Sequence, residues 1–170
     1  MKLTSVNARG ITSMRTHQLE LFADYFQFYL QDEIADGDLS VAWDDAAVER
    51  MLAVTEDQDV IGLGTVRNMH VPVTLEFLSE APANDLANFD HVVEGTLIIN
   101  VGPLVVAGCM DYFPDAARFE LEPGTYRIRL SCSGLGTLSE DGLEGQDHYL
   151  VQLWPAVPVE PTVLKQHLNG

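Results

Sequence analysis

The stretch LFADYFQFYLQDE, Leu21 to Glu33, sets three phenylalanines and two tyrosines among polar residues and ends on two acids. Aromatic side chains suit a pleated, half-buried surface, so Leu19 to Gln31 reads as a strand. Phe22, Phe26 and Phe28 are expected mainly in the core, with Gln27 and Tyr29 on the other face. Asp32 and Glu33 then begin an acidic end. The aromatics do not alternate cleanly, so the pattern alone does not set the register.

Downstream, EIADGDLS is a turn by its Asp-Gly. WDDAAVERMLAV follows, with Asp44 or Asp45 placed to cap a helix at its positive end. Ala47, Val48, Met51 and Leu52 recur at helical spacing, which predicts a helix of about three turns. From there the pattern keeps period two. DVIGLGTVR and NMHVPVTLEFL read as strands, and Pro72 puts the second at an edge or a bulge. HVVEGTLIIN and GPLVVAGCM read as two β-runs joined hairpin-like at Asn100 to Pro103. RFELEPGTYRIRLSC reads as a hairpin turning at Glu122 to Gly124, with Tyr126, Ile128 and Leu130 on one face and Arg127 and Arg129 on the other. DHYLVQLWP is the last expected strand, and the prolines of AVPVEPTVLKQHLNG, Pro158 and Pro161, make the tail irregular.

The expected fold is therefore mainly β: an antiparallel two-sheet sandwich, jelly-roll-like, of about eight strands with one short helix. Helices do not alternate with strands, which argues against α/β. The expected organisation is an N-terminal arm over 1–18, the sandwich over 19–155 and a tail over 156–170.

Composition narrows the function. The chain has 170 residues, enough for one domain with its own core. Its formal net charge is −17, from 9 basic and 26 acidic residues. Nucleic-acid backbones and anionic membranes attract clustered Lys and Arg, so this balance argues against both. It suits either solubility alone or a basic protein partner. Cys109 and Cys132 sit in apolar runs and read as buried small hydrophobes in a cytoplasmic, reducing setting. No apolar run reaches the roughly 18 residues of a membrane helix.

Chemistry-bearing motifs are sparse. GLGT occurs at Gly62 and at Gly134, without the lysine and helix of a phosphate loop. Ser131, Cys132 and Ser133 lack a nucleophile elbow and a local base. The histidines do not form a local metal pair; a cupin-like metal site would have to converge on His70, His91 and His148 in space. The calcium-loop spacing is not met near Asp36, and paired carboxylates of a glycosidase type have no supporting context. No cofactor, catalytic residue or metal ligand is assigned. From Asp32 to Asp59 there are ten acids opposed only by Arg50. Such a run is either a solvated face or a surface that imitates DNA phosphates for a basic protein. Asp32, Glu33, Asp36, Asp38, Trp43, Asp44, Asp45 and Glu49 are the expected partner-binding residues, with Trp43 as an anchor.

Several short pieces occur in an order with a counterpart elsewhere. They are Tyr25-Phe26-Gln27-Phe28, Trp43-Asp44-Asp45-Ala46, Arg67-Asn68, Phe119-Glu120-Leu121 with Gly124 and Tyr126, and Asp147 with Tyr149. In these the chain resembles the competence protein J family, whose founding function is inhibition of a DNA-entry nuclease. It departs by longer ends and by an insertion around Glu140 to Gly145. The resemblance implies a non-enzymatic inhibitor or immunity-type protein whose partner is a basic nuclease, and it implies no catalytic residues. The competing expectations are a small-ligand-binding or cupin-like metal-dependent sandwich, and a module that dimerises through an edge strand near Pro72.

Overall fold

The computed structural model describes residues 5–6 and 12–168. Lys2 and Arg9, counted with the N-terminal arm, lie outside the described residues, as do the last two of the tail.

The described residues form twelve strands in two sheets and one short α-helix, so the two-sheet, mainly β expectation holds while the strand count was too low. In chain order these are β1 (Ser5–Val6), β2 (Thr12–Phe22), β3 (Gln27–Asp32), α1 (Asp45–Arg50), β4 (Leu52–Val54), β5 (Val60–Gly64) and β6 (His70–Leu78). Then come β7 (His91–Ile99), β8 (Leu104–Gly108), β9 (Ala117–Phe119), β10 (Gly124–Ser133), β11 (His148–Pro155) and β12 (Thr162–Lys165). The larger sheet runs β1-β2-β6-β11-β10-β7-β12 and the smaller β4-β5-β3-β8-β9. Every described pairing is antiparallel except β11 on β6.

The core lies between the sheets. Phe28, Leu30, Ile61 and Leu63 of the smaller sheet share one buried cluster with Leu75, Leu97, Ile128 and Val151 of the larger. Each such side chain contributes about 1.5–3 kcal/mol when fully buried. The period-two reading of β10 is borne out: Tyr126, Ile128 and Leu130 are buried inward. Arg129 Nε points outward and meets Glu94 Oε2 at 2.7 Å.

Several expectations are corrected. The presumed single strand Leu19–Gln31 is two strands, β2 and β3, in different sheets. A single 3-10 turn, Asp24–Phe26, joins them, and it turns Phe26 outward to 52% exposure. Phe22 is only half-buried and packs edge-on against His70. Residues 12–18 of the expected arm belong to β2, and the expected tail adds β12 to the edge of β7. The helix stops after six residues because Met51 takes a left-handed φ of 62° and β4 begins at once. The two presumed hairpins are corners between sheets: β7 and β10 lie in the larger sheet, β8 and β9 in the smaller. The strand carrying Pro72 is interior, between β2 and β11. Proline is tolerated there because the ladder to β11 begins only at Val73, and β6, being interior, is not the edge strand through which a second copy was expected to pair.

Candidate functional site

The eight residues expected to contact a partner divide by environment. Asp32, at the end of β3, is completely buried. Its Oδ2 accepts from the backbone N–H of Asn100 and Val101, and its Oδ1 from Gly102. A carboxylate with three such donors holds the β7–β8 corner together, and it has no surface to offer. Glu33, one residue on, takes a forked contact from Arg118 at 2.7 and 3.3 Å.

The remaining acids are exposed. Asp38 caps the 3-10 turn Leu39–Val41 by accepting from the Ser40 N–H and hydroxyl, and these bonds hold its carboxyl below the usual range. Asp44 caps α1 through the Ala47 N–H at 2.8 Å. Asp36, Asp45 and Glu49 are exposed, and no hydrogen bond binds the carboxylates of Asp45 and Glu49 among the described contacts. The chain between β3 and α1 thus folds back across the outer face of the smaller sheet and carries its acids outward. Trp43 fixes that excursion. Its Nε1–H donates to Gln27 Oε1 at 2.7 Å. Its ring lies so close to β5 that a Cβ on Gly62 would stand 2.9 Å from Cζ2, so this glycine of the first GLGT serves close packing.

Beside Trp43 the surface is concave. A recess of about 530 Å³ is lined by the apolar and aromatic Tyr25, Phe26, Trp43, Val48 and Met51 together with Gln27, Ser40, Gly64 and Thr65. A second of about 440 Å³ shares Val48, Met51 and Thr65 with it and runs to His167 and Leu168. A third of about 400 Å³ shares Tyr25, Gln27, Ser40 and Trp43 and runs past Asp38 to Cys109. Cys109 is exposed, against the expectation that it is buried. Partial burial and the nearby Asp24 and Asp111 push its thiol up, which disfavours the reactive thiolate.

The histidines do not converge. His70 meets Phe22 edge-on, and His148 Nε2 pairs with the Thr74 hydroxyl at 2.9 Å. His91 is buried; its Nε2 meets the Arg50 carbonyl at 2.7 Å and its Nδ1 accepts the His167 N–H. That arrangement requires neutral imidazole with the proton on Nε2, and burial lowers its pKa accordingly. Among the described residues no three His, Cys, Asp or Glu side chains are grouped to hold a metal. Cys132 faces His91 across β10 and β7, yet both ring nitrogens are committed and full burial raises the thiol far above its usual range.

A second constellation went unread in the sequence as a unit. Arg67 Nε lies 2.9 Å from Asp147 Oδ1, an ionic contact whose angle is too poor for a hydrogen bond. Asp147 is fully buried, and its Oδ2 accepts from the Tyr149 hydroxyl at 2.7 Å. The same hydroxyl accepts the Val66 N–H at 3.0 Å. Burial raises the Tyr149 phenol, so it stays a neutral donor. Arg67 and the pair Asp147 with Tyr149 were two separate pieces of the resemblance; the fold makes them one network that ties the β5–β6 loop to the start of β11.

Solved structures extend that observation. ComJ from Bacillus subtilis, an inhibitor of the DNA-degrading activity of NucA, superposes with a TM-score of 0.62 over 86% of this chain and 98% of its own, at 16% identity. The chain has a ComJ-like fold. The crocagin biosynthetic gene J protein shares the ComJ-like fold with a TM-score of 0.56 over 84% of this chain and 98% of its own, also at 16% identity. No family model matches the chain, and no curated protein matches it by sequence.

Proposed function

We propose that this protein is a non-catalytic inhibitor or immunity-type protein of the cytoplasm whose acidic face binds a basic protein, a nuclease foremost. The observation that carries the reading is the placement of Asp36, Asp38, Asp44, Asp45 and Glu49. They are exposed together along one excursion, stiffened by two caps and Trp43, on the fold of an inhibitor of NucA. Carboxylates so displayed speed encounter with a positive groove and oppose nucleic acid itself.

The test is salt-graded capture from the host lysate followed by a DNA-degradation assay. The expected result is a basic nuclease retained at low salt, released at high salt and slowed in proportion to added protein. Lysine reversals at Asp36, Asp45 and Glu49 should weaken retention; Asp44 is left intact because it caps α1. A captured nuclease whose rate is unchanged by saturating protein would end the inhibitor reading.

A further inference from the structure

Surface acids account for attraction but not for grip, and the aromatic turn before β3 supplies the missing half. Tyr25 and Phe26 have φ of 58° and 59°. Side chains other than glycine, asparagine and aspartate rarely enter this left-handed region, and two bulky aromatics in succession are a marked exception. They are also 69% and 52% exposed, so core packing does not compensate for the strain. The turn has only to bring the chain from buried Ala23 to buried Phe28, which two glycines would do with less strain. What the turn gains from tyrosine and phenylalanine is a pair of rings held in solvent.

Those rings wall the trough formed by the three joined recesses. Val48, 61% exposed, and Leu168, 80% exposed, add apolar surface to its lining. Asp38 and Glu49 line it, and no Lys or Arg does among the described residues. Apolar centre and acidic margin together specify the occupant. We propose that the trough is the docking groove for a cationic protein segment carrying apolar side chains between its Lys and Arg residues, with Tyr25 and Phe26 as the anchors. The positive sign rests on the function proposed above. A second copy of this chain is disfavoured, since it would set the same acids face to face. Aromatic anchors in a water-excluding centre with charged margins match the way binding energy concentrates at interfaces.

The experiment uses Trp43 as its reporter. The chain has two tryptophans, so Trp154→Phe leaves Trp43 alone. The probes are a capped peptide alternating Lys with Leu and an oligolysine of equal charge. The alternating peptide is expected to shift Trp43 emission and to bind about tenfold tighter than oligolysine at physiological salt. A double variant, Tyr25→Gly with Phe26→Gly, should lose that preference while melting no lower than the parent, because glycine accepts the turn. Equal binding of the two peptides, binding of neither, or a double variant that keeps the preference would overturn the proposal. The two readings fail separately. If lysate capture yields no nuclease but the peptide preference holds, the groove stands and the inhibitor does not. If a nuclease is inhibited and the double variant inhibits it unchanged, the reverse follows.

Discussion

Asp32 and Asp45 belong to one acidic run in the chain yet do opposite work in the fold. Asp32 is sealed in a corner with three N–H donors; Asp45 stands in water at the start of α1. The same split separates Asp147, locked between Arg67 and Tyr149, from the exposed Glu144 three residues before it. A carboxylate's identity says little until its desolvation is known. Buried, it specifies how two segments meet; exposed, it sets the field that a partner meets first.

Removing buried members should therefore cost stability and exposed ones should not. The largest effect is expected at Asp147→Ala, which leaves Arg67 without its ion pair and Tyr149 without its acceptor. Breaking such a pair costs about 3–5 kcal/mol, read as a drop in the midpoint of urea unfolding. Asp32→Asn comes next. The amide keeps one oxygen but exchanges the other for a donor that faces N–H groups, a loss of about 1.5–3 kcal/mol. If either variant unfolds like the parent, the division by burial is wrong.

Asp44→Ala lies between the classes, because an exposed acid here also closes a helix end. Loss of an N-cap costs about 1 kcal/mol, and in a six-residue helix the damage should spread to Trp43. A red shift in Trp43 emission accompanying the lower midpoint would show that the cap holds the excursion in place.

How far the sequence reveals this division differs from one element to the next. Period two in β10 was legible because a two-faced strand writes alternation directly; that the outward Arg127 and Arg129 both meet Glu94 was not, since Glu94 lies on a different strand. The corners at Asn100–Pro103 and Glu122–Gly124 were not, since Gly and Pro mark a change of direction whether the chain pairs with itself or crosses to the other sheet. Asp32 looked like Glu33 because its three donors come from residues about seventy positions away. The turn at Tyr25–Phe26 carried no Gly, Pro or Asn, so its aromatics passed for the middle of a strand. Arg67, Asp147 and Tyr149 were each visible, but only strand pairing joins positions 67 and 147.

The smallest stability effect, and the sharpest contrast, is expected from Asp45→Lys with Glu49→Lys. Asp45 occupies the first turn of α1, where a lysine opposes the helix dipole by about 0.3–1 kcal/mol; Glu49 lies in the last turn, where a lysine gains a similar amount. The two nearly cancel, so the unfolding midpoint should move by less than about 0.5 kcal/mol. Two reversals shift the net charge by +4, from −17 to −13. Against a basic nuclease recovered by the capture experiment, the association rate should fall at low salt while dissociation changes little, since peripheral charges act on encounter. Near 1 M salt, where the screening length is about 3 Å, the two proteins should associate alike. A variant as stable as the parent and equally fast at low salt would reduce the exposed acids to solubility alone. A deficit confined to low salt would separate steering by α1 from the salt-insensitive hold expected of Tyr25 and Phe26.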